Sequence, residues 1–224
     1  MTTRKRRSNG YGNYRHQADA CHAYQIAKRK GIPEKQIILF MYDDIAHSQE
    51  NPIPGKVFNK PDGKDVYQGC KASYTGSDVS AAKFLAVLTG DRKTAQGPVL
   101  RSSKRDNVFI YYADHGAPGL IAMPEDQEPV YAKDLNAALV AMKEKDMYNR
   151  LVFYLEACES VLVQCPFHRS GVASTACGGI ARQTPSTRLS SARRRRDGHT
   201  VATPSTHRRD LSPSCTTQGT STRK

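Results

Sequence analysis

The chain has 224 residues and a formal net charge of +13, long enough for one domain or one domain with a tail, and basic enough to raise the question of a nucleic-acid or membrane partner. The charge is uneven: residues 1–7 carry four basic and no acidic side chains, residues 161–224 carry eleven and two, and residues 8–160 balance 19 of each. The body is therefore neutral, which argues against nucleic acid as its partner, and no apolar run reaches the ~18 residues that a membrane span needs.

The ends differ in kind as well as charge. The body uses 13 Lys and 6 Arg, whereas residues 161–224 use 10 Arg and 1 Lys. That tail has 19 Ser or Thr and only nine Leu, Ile, Val or Phe. This is below the ~20% at which a charged segment buries enough apolar surface to fold. The tail reads as disordered, and the abruptness of the change reads as a break in coding frame or a retained intron. The start, "MTTRKRR", is aberrant in the same sense and leads into no apolar stretch, so no signal peptide is visible. Six cysteines divide three and three between body and tail, without the spacing of a disulfide framework or a zinc site. Arg193 to Arg196 make a short run of the kind that serves nuclear import or phosphate binding.

In chain order, "HQADACHAYQIAKRKG" predicts a helix with basic residues in its last turn, stopped by Gly31 and Pro33. "KQIILFMY" predicts a short, nearly all-apolar strand covered on both faces. The Pro-, Gly- and Asp-rich stretch after it, to Gly69, is a long loop, of a length more often functional or a disordered insertion than a simple connector. "TGSDVSAAKFLAVLTG" predicts a second helix capped by Ser77 or Asp78 and ended by Gly90, with Phe84, Leu85 and Leu88 on one face. "NVFIYYADHG" is a strand running into Asp114, His115 and Gly116, and "GLIAMP" a short strand after a turn. "AKDLNAALVAMKEKDMY" is a helix with Leu135, Leu139 and Met142 on one side, and "LVFYLEAC" the last clear strand. Strand–helix alternation predicts an α/β sandwich around a mainly parallel sheet, with its site at the carboxyl ends of the strands.

His115 and Cys158 both fall at such ends, 43 residues apart, comparable to the ~50 that separates the pair in caspases. A thiol needs a nearby base to become a thiolate, and an imidazole supplies one and then protonates the leaving amine. The backbone N–H groups of Gly116 and Cys158 suit an oxyanion hole. The bland readings are a small buried hydrophobe for the cysteine and a turn for the His-Gly pair. The flanking acids Glu156 and Glu159 weigh slightly against simple packing, and read equally as solvated ends of the strand.

At these residues the sequence resembles a known family. "SNGYGNYRHQADACHAYQIAKRKGIP", "MYDDIAHSQENPIPG", "DVYQG", "YTG", "VFIYYADHGAPGLIAMP" and "YLEACES" occur in order, and residues 8–160 look like part of a legumain, or asparaginyl endopeptidase, domain, the family of the plant vacuolar processing enzymes. The resemblance implies a caspase-like fold and cleavage after asparagine through a thioester, with no cofactor and no metal. It implies Cys158 as nucleophile, His115 as general base and acid, Asn13 from "NYRH" as support for the histidine, and Gly116 as oxyanion donor. It implies that Arg15, His16 and Glu156 line the asparagine pocket, with Arg15 donating to the amide oxygen and Glu156 accepting from its NH₂. Asp114 is implied to tune His115. "LTGD" stands where some members carry an RGD-like loop, but Thr89 replaces the arginine and no integrin role follows.

The departures from the family concern the edges. "MTTRKRR" stands where the family has an apolar strand expected inside the sheet. "VLVQCPFHRS" stands where a glycine, a further strand and more pocket residues are expected, and the regulatory prodomain is missing. The expectation is a legumain-like cysteine endopeptidase acting on protein or peptide substrates with asparagine at the cleavage position, in a truncated form that need not be active. Lysosome or vacuole is the compartment the family implies. The alternatives are a catalytic subunit like that of glycosylphosphatidylinositol transamidase, or a non-catalytic protein binding nucleic acid through its basic tail.

Overall fold

The computed structural model describes residues 9–124 and 127–158. The basic start at 1–7, the tail at 161–224 with its three cysteines and Arg193 to Arg196, and Glu159 lie outside the described residues. The described body is mixed α/β with a parallel strand pair, as expected.

Helix α1 spans Tyr14–Arg29 and buries His16, Gln17, Ala18, Cys21 and Tyr24, one face at helical spacing. Lys28 and Arg29 sit in its last turn, where cations complement the helix dipole. The strand expected over Lys35–Tyr42 is not formed. Glu34–Gln36 make a 3-10 turn, and among the described residues the following extended run pairs at a single parallel bridge, Phe40 to Tyr74. Its apolar side chains are used nonetheless: the Phe40 and Tyr74 rings stack at 4.2 Å, and Phe84 meets Phe40 edge-on at 5.9 Å. A β-propensity run becomes a strand only where a neighbouring ladder takes up its N–H and C=O groups. Among the described residues, this run finds that on one side over only two or three residues.

The long loop that follows is ordered by side chains in place of ladders. Ile45, Ala46 and Val57 are buried with Ala18, Cys21 and Met41 in one apolar cluster. Buried Asn51 gives its amide hydrogens to the carbonyls of Ile45, Ala46 and Lys56, and its Oδ1 accepts from Ile53 N–H. Cys21 and Cys70 are joined as a disulfide with Cα atoms 5.6 Å apart. The cysteine spacing does not announce this bond, because the partners lie 49 residues apart on a helix and a loop.

Helix α2 (Ala81–Thr89) is capped by Ser80, whose hydroxyl accepts from Lys83 N–H, and not by Ser77 or Asp78, which form a 3-10 turn of their own. Gly90 closes it in the left-handed region at φ 75°, a conformation that costs a residue with a Cβ more than it costs glycine. The short helix α3 (Arg92–Ala95) follows, its first amides capped by Asp91.

Strand β1 (Asn107–Ala113) pairs in parallel with β5 (Arg150–Glu156), from Asn107 opposite Arg150 to Ala113 opposite Glu156. Between them run three short antiparallel strands, β2 (Gly116–Ala117), β3 (Leu120–Ile121) and β4 (Val130–Tyr131), and helix α4 (Ala132–Glu144). One face of the parallel pair presents Val108, Ile110, Leu151, Phe153 and Leu155 to Leu88 of α2 and to Leu135, Leu139 and Met142 of α4. The three α4 residues are at most 1% exposed, and full burial of each contributes about 2 kcal/mol. On the opposite face Phe109 and Tyr154 are exposed, their rings edge-on at 5.2 Å.

Candidate functional site

The parallel register builds the site. With Ala113 level with Glu156, two further residues on each strand bring His115 level with Cys158 on strands that lie ~4.8 Å apart. The ladder continues past the strand ends, where Asp114 N–H donates to the Glu156 carbonyl at 3.1 Å. Gly116 is buried against Ala157 and Cys158, and a Cβ there would overlap the Cys158 carbonyl oxygen. Glycine is therefore required for the two chain segments to close together at this point. Cys158 itself is exposed.

Asn13 reaches the site from the turn before α1. Its Nδ2 donates to the Asn9 carbonyl at 2.8 Å, so its Oδ1 is the atom that faces Nε2 of His115, at 2.9 Å. An amide oxygen only accepts, so Nε2 donates to it, and a neutral imidazole then has its lone pair on Nδ1. The turn holding Asn13 is fixed by Asp44, which accepts from Gly10 N–H at 2.7 Å and from Gln17 Nε2 at 2.5 Å.

His16 is 5% exposed and lies against His115 with ring centroids 4.7 Å apart, edge to face. Its Nδ1 is 3.2 Å from Oδ1 of Asp114, but out of line for a hydrogen bond, and neither ring nitrogen has a hydrogen-bond partner among the described residues. Asp114 Oδ1 also accepts from His115 N–H at 2.6 Å. Ligand atoms of His16, Asp114 and His115 all lie within 4.8 Å of one another.

Arg15 and Glu156 gather around Tyr111, which position-by-position reading overlooks. The Tyr111 hydroxyl lies 3.3 Å from Glu156 Oε2. Its pKa is raised, by burial first, then by the charges of Glu156 and Asp19, with Arg15 acting in the opposite sense. Asp19 stands one turn beyond Arg15 on α1 and accepts from Asn59 Nδ2 at 2.7 Å. The signal for Tyr111 is period two: it shares with Glu156 the face opposite the core. Asp44 lies inside "MYDDIA", but nothing in that string says that its partners are Gly10 and Gln17.

Thus all seven expected site residues are described. Asn13, His115, Gly116, Cys158 and His16 meet at one strand end, and Arg15 and Glu156 share Tyr111 as a neighbour. Residues 7–175 match the Peptidase C13 family. The chain is 57% identical over 157 residues to the legumain of Mus musculus and 56% identical over 157 residues to that of Bos taurus, covering 68% of this chain and 36% of each relative. It is 55% identical over 156 residues to the vacuolar-processing enzyme delta-isozyme of Arabidopsis thaliana, 68% of this chain and 33% of that protein. The chain spans about a third of the length of the curated relatives it matches.

Proposed function

The chain belongs to the peptidase C13 family, and from that premise we propose that it carries the catalytic half of a cysteine endopeptidase that cleaves after asparagine. The observation that carries this reading is the level placement of His115 and Cys158 at the ends of β1 and β5, with Asn13 holding the histidine's tautomer.

In the first step Nδ1 of His115 takes the thiol proton of Cys158, and the sulfur attacks the main-chain carbonyl carbon of the substrate asparagine itself. The carbonyl electrons move to oxygen, where the N–H groups of Gly116 and Cys158 stabilise the anion. The intermediate collapses to a thioester as His115 gives its proton to the leaving amine. Water, deprotonated by His115, then attacks the thioester, and the proton returns to the departing sulfur. Asn13 acts throughout by accepting from Nε2, which keeps the lone pair on Nδ1.

A primary amide needs one partner that donates to its oxygen and one that accepts from its NH₂. Arg15 supplies the donors and Glu156 the acceptor, with the Tyr111 hydroxyl orienting the carboxylate. His16 backs this arrangement from the His115 side. The substrates are proteins and peptides, and the setting is the lysosome or vacuole, supported by the vacuolar name of a close relative.

The test is hydrolysis of matched fluorogenic peptides ending in asparagine, aspartate or glutamine. The asparagine peptide is expected to be cleaved fastest by ~10-fold or more, since a site built to pair an amide rejects groups that leave its polar atoms unmatched. Equal rates for the three, or reaction of an asparagine-directed electrophile at a residue other than Cys158, would sink the reading.

A further inference from the structure

We infer that His16, Asp114 and His115 form a binding site for a divalent transition-metal cation of the zinc class. The expectation from sequence is no metal, and the cysteines lack the spacing of a zinc site. The geometry points elsewhere. Three ligand atoms already lie within 4.8 Å of one another. One edge, His16 Nδ1 to Asp114 Oδ1 at 3.2 Å, is close to the ~3.4 Å that separates two ligands each held ~2.1 Å from a tetrahedral ion.

A second, independent observation is His16 itself. It is 95% buried (5% exposed) with neither ring nitrogen hydrogen-bonded among the described residues. A buried imidazole that has a carboxylate beside it, yet makes no hydrogen bond among the described residues, calls for an explanation. A cation reached through Nδ1 supplies one, and the adjacent carboxylate of Asp114 offsets its charge.

The surroundings also suit coordination. A ligating histidine ordinarily donates its other ring N–H to an oxygen acceptor that fixes the tautomer. His115 donates from Nε2 to Asn13 Oδ1 at 2.9 Å, so a neutral ring offers Nδ1 as its ligand atom. Asp114 is oriented in turn by the His115 N–H at 2.6 Å. Two imidazoles and one carboxylate favour zinc or copper over calcium or magnesium, which take oxygen ligands. The same nitrogen of His115 would serve either the cation or the Cys158 proton, so an occupied site is a restrained peptidase. That consequence rests on the proposed function, whereas binding does not.

The experiment uses the full chain with its disulfide intact, titrated with Zn²⁺ alone, and with Co²⁺ as an absorbing substitute. The ring proton resonances of His16 and His115 are expected to move together with the first equivalent of Zn²⁺, and Co²⁺ to give visible d–d bands. H16N and D114N are each expected to lose one bound equivalent or to weaken it at least 10-fold, and C158A to retain it. A His16 resonance that stays in place in the unaltered chain overturns the site, whatever the variants do. So does a metal equivalent unchanged in H16N and D114N, or one lost only with Cys158. A chain that binds Zn²⁺ this way but never cleaves peptides removes the peptidase reading and leaves the cation site. One that cleaves after asparagine but leaves His16 silent does the reverse.

Discussion

Two regions of the molecule both pack on α1 and are held together by different means. On one side, the β1–β5 strand ends are placed by a continuous parallel ladder and an apolar layer beneath it. The Cys158, Arg15 and Glu156 side chains stay exposed. On the other, the segment from Asp43 to Lys71 has almost no regular structure and is fixed by individual bonds. These are the Asn51 amide on three carbonyls, the Cys21–Cys70 bridge, and Glu34 shared between Lys71 at 2.6 Å and Lys28 at 3.0 Å. Asp43 sits there with φ 67° and accepts from the Tyr67 hydroxyl, whose pKa is pushed up to about 12 by burial and by that carboxylate. The contrast shows that precision at a site and order in a loop have separate sources. A ladder sets register over many residues at once, whereas a stapled loop depends on each staple.

The sharpest way to break the comparison is Cys158→Ala. It is expected to lower peptide turnover at least ~10³-fold while leaving the urea midpoint within error, because the side chain is exposed. A comparable loss of stability would show that the strand end depends on Cys158 for its fold. Next comes Cys70→Val. Closing a loop across 49 residues is worth about 4 kcal/mol in the chain-entropy account. The variant should lose about that much in urea unfolding, and reductant should lower the unaltered chain to the same value. On the proposed function the two cysteine sites make opposite demands: Cys158 works as a thiol, whereas the loop is closed by a disulfide. If reductant leaves stability unchanged, the bridge is not a staple.

A smaller effect is expected from Asn13→Ala. With no oxygen facing Nε2, His115 samples both tautomers, and kcat should fall ~10- to 100-fold with little change in KM. The pH dependence of kcat should shift with it, which a merely structural role would not produce. An unchanged pH profile would remove Asn13 from the site. The smallest effect belongs to Glu34→Gln. Hydrogen bonds from Lys71, and then Lys28, hold the Glu34 carboxyl near a pKa of about 2 in place of its ordinary 4.5. A depressed carboxyl pKa contributes stability that is present above 4.5 and is lost as pH falls through about 2. The variant should be slightly less stable than the unaltered chain above pH 4.5 and indistinguishable from it below about 2. The exposed position keeps the difference small. A gap that persists in strong acid would assign it to packing.

Legibility followed the same division. Helices α1 and α4 were readable because each buries one face at a spacing of three and four residues, with Leu135, Leu139 and Met142 the clearest case. Strands β1 and β5 were readable from their apolar runs, and His115 and Cys158 from standing at the ends of those runs. The run at Lys35–Tyr42 carries an equally good strand signal and is not a strand, because pairing depends on what lies beside it. Ser77 and Asp78 were plausible caps, but the hydroxyl that meets Lys83 N–H is that of Ser80.

By itself, the sequence determined the local periodicities, the neutral body with its basic ends, and the residue types able to carry thiol chemistry. These follow from composition and from spacings of two, three or four residues, which no distant contact alters. Only the tertiary structure decided what long-range contacts decide. It placed Ala113 opposite Glu156 and so set His115 level with Cys158. It brought Asn13 back across 102 residues to Nε2, and joined Cys21 to Cys70. It also left His16 buried beside Asp114 without a hydrogen bond. The physical reason is that each of these is a meeting of segments whose cost in loop closure is met by the whole packed body and not by either segment alone.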